Sequence, residues 1–263
     1  MTSLLDAPPS LVEALRATRR RRPLADRAHA AGLRAVLNDG IFAVTGGDHP
    51  HTPLVIHAGS LRPDVTSERH DSARSRLRGT LIGELLRLLS VGVHVDNPFV
   101  DACLAWRAQT PSPELLARLD GLDDDERARL RTDVEAHFVT LVRSFGAVPA
   151  QWQPRSALHV VQRLAGGDVV LRDHVDLMFG SANSLNASVT LLDLTSSPLG
   201  EGVERALRYH ALVETLRTST VPLRSAAFSS ATGELWIREV DPELLTRAVE
   251  DVIAAIERAW ALR

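Results

Sequence analysis

Two short apolar runs each carry an aspartate, VVLRDHVDLMF with Asp176 and SVTLLDLTSS with Asp193, and the helical stretch RALRYHALVETL follows them. Carboxylates delivered by neighbouring strands form a set of oxygen ligands for a hard divalent cation such as Mg²⁺ or Mn²⁺, which binds through one or two carboxylates plus waters and substrate phosphates. A cation held in this way neutralises charge on a phosphate and activates water, as phosphodiester hydrolysis requires. Residues i and i+2 of a strand share a face, so Asp193 and Thr195 point the same way while Leu194 points into the core. Asp173 and Asp176 can also be read as polar residues that end a strand at a turn.

The order strand, strand, helix resembles the core of the RecB-like branch of the PD-(D/E)XK nuclease superfamily. On that resemblance Asp176 matches the first metal-binding aspartate, Asp193 the aspartate of the Asp-x-Lys triplet, and Tyr209 the tyrosine of the helix pattern Gln-x-x-x-Tyr. Thr195 stands at the lysine position, Arg205 at the glutamine position, and Asp173 where many relatives have the glycine of a Gly-x-x-Asp pattern. Upstream, Gly79 and Thr80 match the start of a Gly-Thr-x-x-His pattern whose histidine position is filled by Gly83. The resemblance spans roughly residues 70 to 260 and is best from 150 to 217. It implies an α/β, restriction-endonuclease-like core: a mixed β-sheet flanked by helices, with helical N-terminal additions.

All 30 basic residues are arginine, so no ammonium anywhere in the chain can replace the missing lysine. Threonine is neutral. By analogy with an oxyanion donor, its loss of charge costs about 3 kcal/mol of transition-state stabilisation, roughly a hundredfold in rate. Arg205 and Arg208 on the following helix are the candidates to stabilise phosphate charge instead, although arginine cannot act as a base. The expected protein is a catalytically impaired nuclease-fold chain that binds Mg²⁺ or Mn²⁺ weakly at Asp176 and Asp193. It binds DNA or serves as a subunit of a nucleic-acid-processing or defence complex. The alternatives are an active Mg²⁺- or Mn²⁺-dependent DNA nuclease with an altered site, and an interaction protein with no nucleic-acid role.

A formal charge of -3 gives no global attraction to polyanions, so a nucleic-acid site must come from a local patch. Arg19, Arg20, Arg21 and Arg22 form one candidate patch for phosphate; equally, they complement the dipole at the end of a helix begun by Ser10. One cysteine, Cys103, excludes an internal disulfide. The sequence carries no signal-like leader and no stretch of about 20 apolar residues. The expectation is a cytoplasmic protein without membrane contact.

The rest of the pattern supplies a scaffold. Helices are expected over 24–37, ended by Asn-Asp-Gly at 38–40, and from Ser72 through about residue 90. Further helices are expected over 98–145, with the acidic run 123–126 as a helix start. IFAVT and PLVIHA read as short strands. Beyond Pro149 the period falls to 2: strands 156–164 and 169–178 joined at Gly166-Gly167-Asp168, a strand 188–195, a helix 201–217, a hairpin, and a last helix from Pro242. This divides the chain into an extension, 1–70, and a nuclease-fold domain, 71–263, with a helical insertion at 98–148.

Overall fold

The computed structural model describes residues 10–15, 27–61, 73–109, 112–180 and 189–263. Ser10 caps a short helix α1 (Leu11–Ala14) in a reciprocal pair with Glu13. Helix α2 (Arg27–Thr45), strand β1 (Leu54–Ile56) and a 3-10 turn (Ala58–Leu61) follow. Helices α3 (Ala73–Ser90), α4 (Pro98–Arg107), α5 (Pro113–Asp120) and α6 (Asp124–Phe145) come next. The chain then alternates through β2 (Arg155–Leu164), β3 (Val169–Phe179), β4 (Thr190–Thr195), α7 (Glu201–Thr218), β5 (Arg224–Ser229), β6 (Leu235–Glu239) and α8 (Pro242–Trp260). The fold is α/β, a mixed six-stranded sheet with helices on both faces.

One core packs α2, α7 and α8 against β1 and the first half of β3, through Leu37, Ile41, Tyr209, Leu212, Val252 and Leu171. The other packs α1 and α3 to α6 against the second half of β3 with β4 and β5, through Leu81, Leu85, Val134, Leu177, Leu192 and Phe228. The acidic run does start a helix: Asp123 and Glu126 form a capping box on α6.

The expected stop at residues 38–40 is overturned. Helix α2 runs through Asn38-Asp39-Gly40, and IFAVT is its last turn, not a strand. Burial of Leu33, Leu37, Ile41 and Thr45 at every fourth position outweighs the local turn preference. Gly40 has a packing reason, since a Cβ there would lie 2.5 Å from Cδ1 of Ile253 on α8. Asn38 turns its side chain outward from the helix, and its Oδ1 accepts the Ala165 N–H at the β2–β3 turn.

Strand β2 lies antiparallel to almost the whole of one edge of β3. The other edge is shared. β1 pairs with it in parallel at residues 169–171, and β4 pairs antiparallel at residues 177–179. Residues 172–176 of β3 therefore lie between two strands that leave that edge open. Val169 and Leu171 belong to the first core and Leu177 and Phe179 to the second, although an unbroken strand would put all four on one face. The exchange falls near Asp176, whose counterpart Ala157 has φ 51° and is missing from the β2–β3 ladder. Left-handed backbone at a non-glycine residue costs about 1–2 kcal/mol and persists only where its surroundings fix it.

Candidate functional site

The open stretch of β3 needs partners for its backbone, because buried N–H and C=O groups are rarely left unpaired. Side chains provide them. The Tyr209 hydroxyl lies 2.8 Å from the Ile56 carbonyl and 2.9 Å from the Arg172 carbonyl, and so bridges the end of β1 to β3. Burial pushes its phenol pKa up. The Asp173 carboxylate accepts the His174 N–H at 2.9 Å. The Asp176 carboxylate accepts the Leu194 N–H at 2.7 Å.

Because β3 and β4 pair Leu177 with Leu192, Asp176 stands across from Asp193 one step beyond the end of the ladder. The two strand aspartates are thus brought together. Burial first, and then the neighbouring Asp193 charge, push the Asp176 carboxyl up to about 7. Opposing contributions come from His174, whose Nδ1 is 3.7 Å from Asp176, and from the Leu194 amide. The Asp176 carboxyl therefore keeps its proton toward neutrality, and a divalent cation bound by the two carboxylates would displace it.

Asp173 has a different partner. Its carboxylate lies 2.8 Å from Nδ1 of His210 on α7, and both side chains are almost fully buried. This leaves Asp173 committed to an imidazole and not to a metal. His210 Nε2 lies 3.9 Å from Asp193. Burial alone would lower the imidazole, but Asp173, Asp193 and Asp176 outweigh it and raise its pKa to about 9. A buried cation therefore sits beside Asp193 at neutral pH. The sequence reading did not single out His210; its signal is helical spacing, since Gly202, Ala206 and His210 lie four apart on the face of α7 that lines the cleft.

Thr195 follows Asp193 on β4, and its Oγ1 accepts the Ser197 N–H at 3.1 Å, closing the turn after the strand. Arg205 and Arg208 point elsewhere. Arg208 makes a two-pronged pair with Asp251 of α8 at 2.7 and 2.8 Å, with Arg205 at 3.8 Å from the same carboxylate. Neither lines the cleft. On α3, Arg78 reaches Ser196 at the end of β4, 3.4 Å away, while Glu84 is buried against Arg87 and Gln109. Nothing lies within 4 Å of a Cβ built on Gly83. Arg19 to Arg22 fall outside the described residues.

Beside the carboxylates opens a cleft of about 390 Å³, lined by His57, His159, Arg172, His174, Asp193 and His210 among others. His159 and His174 face each other across β2 and β3 with ring centres 4.7 Å apart. Among the described residues no group of three or more His, Cys, Asp or Glu converges as a metal cage, and no helix is long and apolar enough to cross a membrane.

No protein-family model matches the chain. No curated protein matches it. A solved structure titled "Crystal structure of SSO0001" is similar over 84% of this chain and 84% of that chain, with 10% sequence identity and a TM-score of 0.30.

Proposed function

We propose that the chain is a degenerate nuclease of the PD-(D/E)XK, RecB-like type, which retains a weak divalent-metal site and works by binding DNA or as a subunit of a nucleic-acid-processing or defence complex. The observation that carries this reading is the Asp176–Asp193 pair, set across two strands at the point where their ladder ends. An all-oxygen pair of carboxylates, with Asp176 protonated up to about pH 7 in the absence of a cation, is suited to Mg²⁺ or Mn²⁺, with waters and phosphate oxygens completing the shell. Bound there, the cation would neutralise phosphate charge and polarise water. The chain's own part is to fix the two carboxylates: Leu194 N–H orients Asp176, and His210 faces Asp193. Thr195 adds no charge, which is the reason for impaired cleavage. This reading places the protein in the cytoplasm, with DNA and protein subunits as its partners.

One observation favours a working metal-dependent DNA nuclease as the second reading. The buried His210 cation, 3.9 Å from Asp193, could supply part of the charge that the missing lysine would have carried.

The two readings separate in a Mn²⁺ titration with a DNA-cleavage readout on the wild-type protein and on Thr195→Lys. The degenerate reading expects little wild-type cleavage and a gain of about tenfold or more in Thr195→Lys. Strong wild-type cleavage abolished by Asp176→Ala or Asp193→Ala would transfer the assignment to the second reading. Metal-independent behaviour of both proteins would remove both.

A further inference from the structure

One face of the β2–β3 hairpin carries two imidazoles that neither the cores nor the carboxylate frame uses. His159 and His174 are directly opposite each other in the antiparallel ladder, with ring centres 4.7 Å apart and ring planes tilted by 41°. Both residues are exposed. Among the described residues neither ring forms a hydrogen bond. His174 Nδ1 has Asp176 Oδ1 near it at 3.7 Å, beyond hydrogen-bond reach.

The unused chemistry of the pair is its nitrogen lone pairs, since a neutral imidazole keeps one and is the commonest metal ligand among side chains. Two nitrogens that each bind one zinc ion at about 2.0–2.1 Å stand roughly 3 Å apart. That separation is within reach of rings whose centres are 4.7 Å apart. The strands preorganise the two rings, because ladder pairs flank them on both sides, Leu158 with Val175 and Val160 with Asp173. Asp176, two residues along the same strand face, and Asp193, in the lining of the same cleft, attract a cation. Arg172 is an opposing charge, exposed and two residues before His174. His210, almost fully buried, has its Nδ1 committed to Asp173.

We propose that His159 and His174 clamp a transition-metal cation of the Zn²⁺ or Cu²⁺ class, with water filling the remaining positions. This is a nitrogen site, unlike the carboxylate frame: imidazole suits Zn²⁺ and Cu²⁺, whereas carboxylate and water suit Mg²⁺ and Mn²⁺. The ion ties two strands together. An unfolded chain does not hold the two rings face to face, so the ion binds the folded form and stabilises it. The clamp does not rest on the metal reading of Asp176 and Asp193, nor on any role with nucleic acid.

The test is isothermal titration of the untagged full chain with Zn²⁺, with the melting temperature measured alongside. Wild type should bind Zn²⁺ and melt roughly 5 °C higher at a zinc concentration about a hundred times its Kd. His159→Ala and His174→Ala should each weaken binding about tenfold or more and lose most of that shift. Both side chains are exposed, so either variant should stay folded by circular dichroism. Asp193→Asn should keep its Zn²⁺ binding, which separates the clamp from the carboxylate frame. Electron paramagnetic resonance of bound Cu²⁺ should show coupling to two nitrogens in wild type and to one fewer in either histidine variant. No Zn²⁺ binding by wild type overturns the proposal, as does equal binding by wild type and His159→Ala. Loss of Zn²⁺ in Asp193→Asn with retention in His159→Ala also overturns it, by assigning the ion to the carboxylates. Histidine-dependent Zn²⁺ binding in a protein that binds no Mn²⁺ upholds the clamp and overturns the metal reading of Asp176 and Asp193.

Discussion

Replacing Asp173 by alanine removes one half of the Asp173–His210 pair, and the cost can be worked from its geometry. The two side chains are 2% and 4% exposed and lie 2.8 Å apart. The rise of the imidazole from 6.5 to about 9, the net of burial against Asp173 first and then Asp193 and Asp176, corresponds to about 3 kcal/mol at 1.36 kcal/mol per pH unit, and sets the scale for the pair. Breaking a buried pair from one side costs about 3–5 kcal/mol, in agreement. A group with a raised folded pKa contributes fully below its unfolded value and loses that contribution as pH rises through the folded one. The Asp173→Ala penalty should therefore be largest below pH 6.5 and shrink by about 3 kcal/mol as pH passes 9. Urea unfolding of wild type, Asp173→Ala, His210→Leu and the double variant, at pH 6 and pH 9.5, measures both the coupling and its pH dependence. Additive single effects, or an equal Asp173→Ala penalty at both pH values, would refute the pairing.

The metal-free protein carries a second pH signature, because Asp176 holds its proton to about pH 7 and loses stability as pH rises from about 4 to 7. Asp176→Asn should thus raise the melting temperature at pH 8 by about 2 °C or more and leave it nearly unchanged at pH 4, as scanning calorimetry would show. Two glycines should respond in opposite directions to added bulk. Gly83→Ala, in open space on α3, should stabilise by about 1 kcal/mol. Gly40→Leu, driven into Ile253, should destabilise by about 1–3 kcal/mol in the same denaturation assay.

Much of the second half was legible because its periods are unambiguous. The hairpin of β2 and β3, strand β4, helices α7 and α8, and the hairpin of β5 and β6 all follow the expected order within a few residues. The juxtaposition of Asp176 and Asp193 followed from strand order alone. Asn38-Asp39-Gly40 misled because a turn signal is local, whereas the close approach of Ile253 comes from a helix about two hundred residues away. The fate of Asp173 was illegible for the same reason. It depends on His210 being on the helix face that meets β3 at a gap, and that gap exists only because β1 takes the far end of the same edge. Arg205 and Arg208 had the right charge at a promising spacing, yet their helix face turns to Asp251.

The central claim is that Asp176 and Asp193 form a divalent-metal frame. Mn²⁺ binding to the wild-type protein and to Asp193→Asn, read by electron paramagnetic resonance at pH 8, tests it most directly. The account predicts a single weak site that Asp193→Asn abolishes while the protein stays folded by circular dichroism. Equal Mn²⁺ binding by the two proteins, or none by wild type, would contradict it.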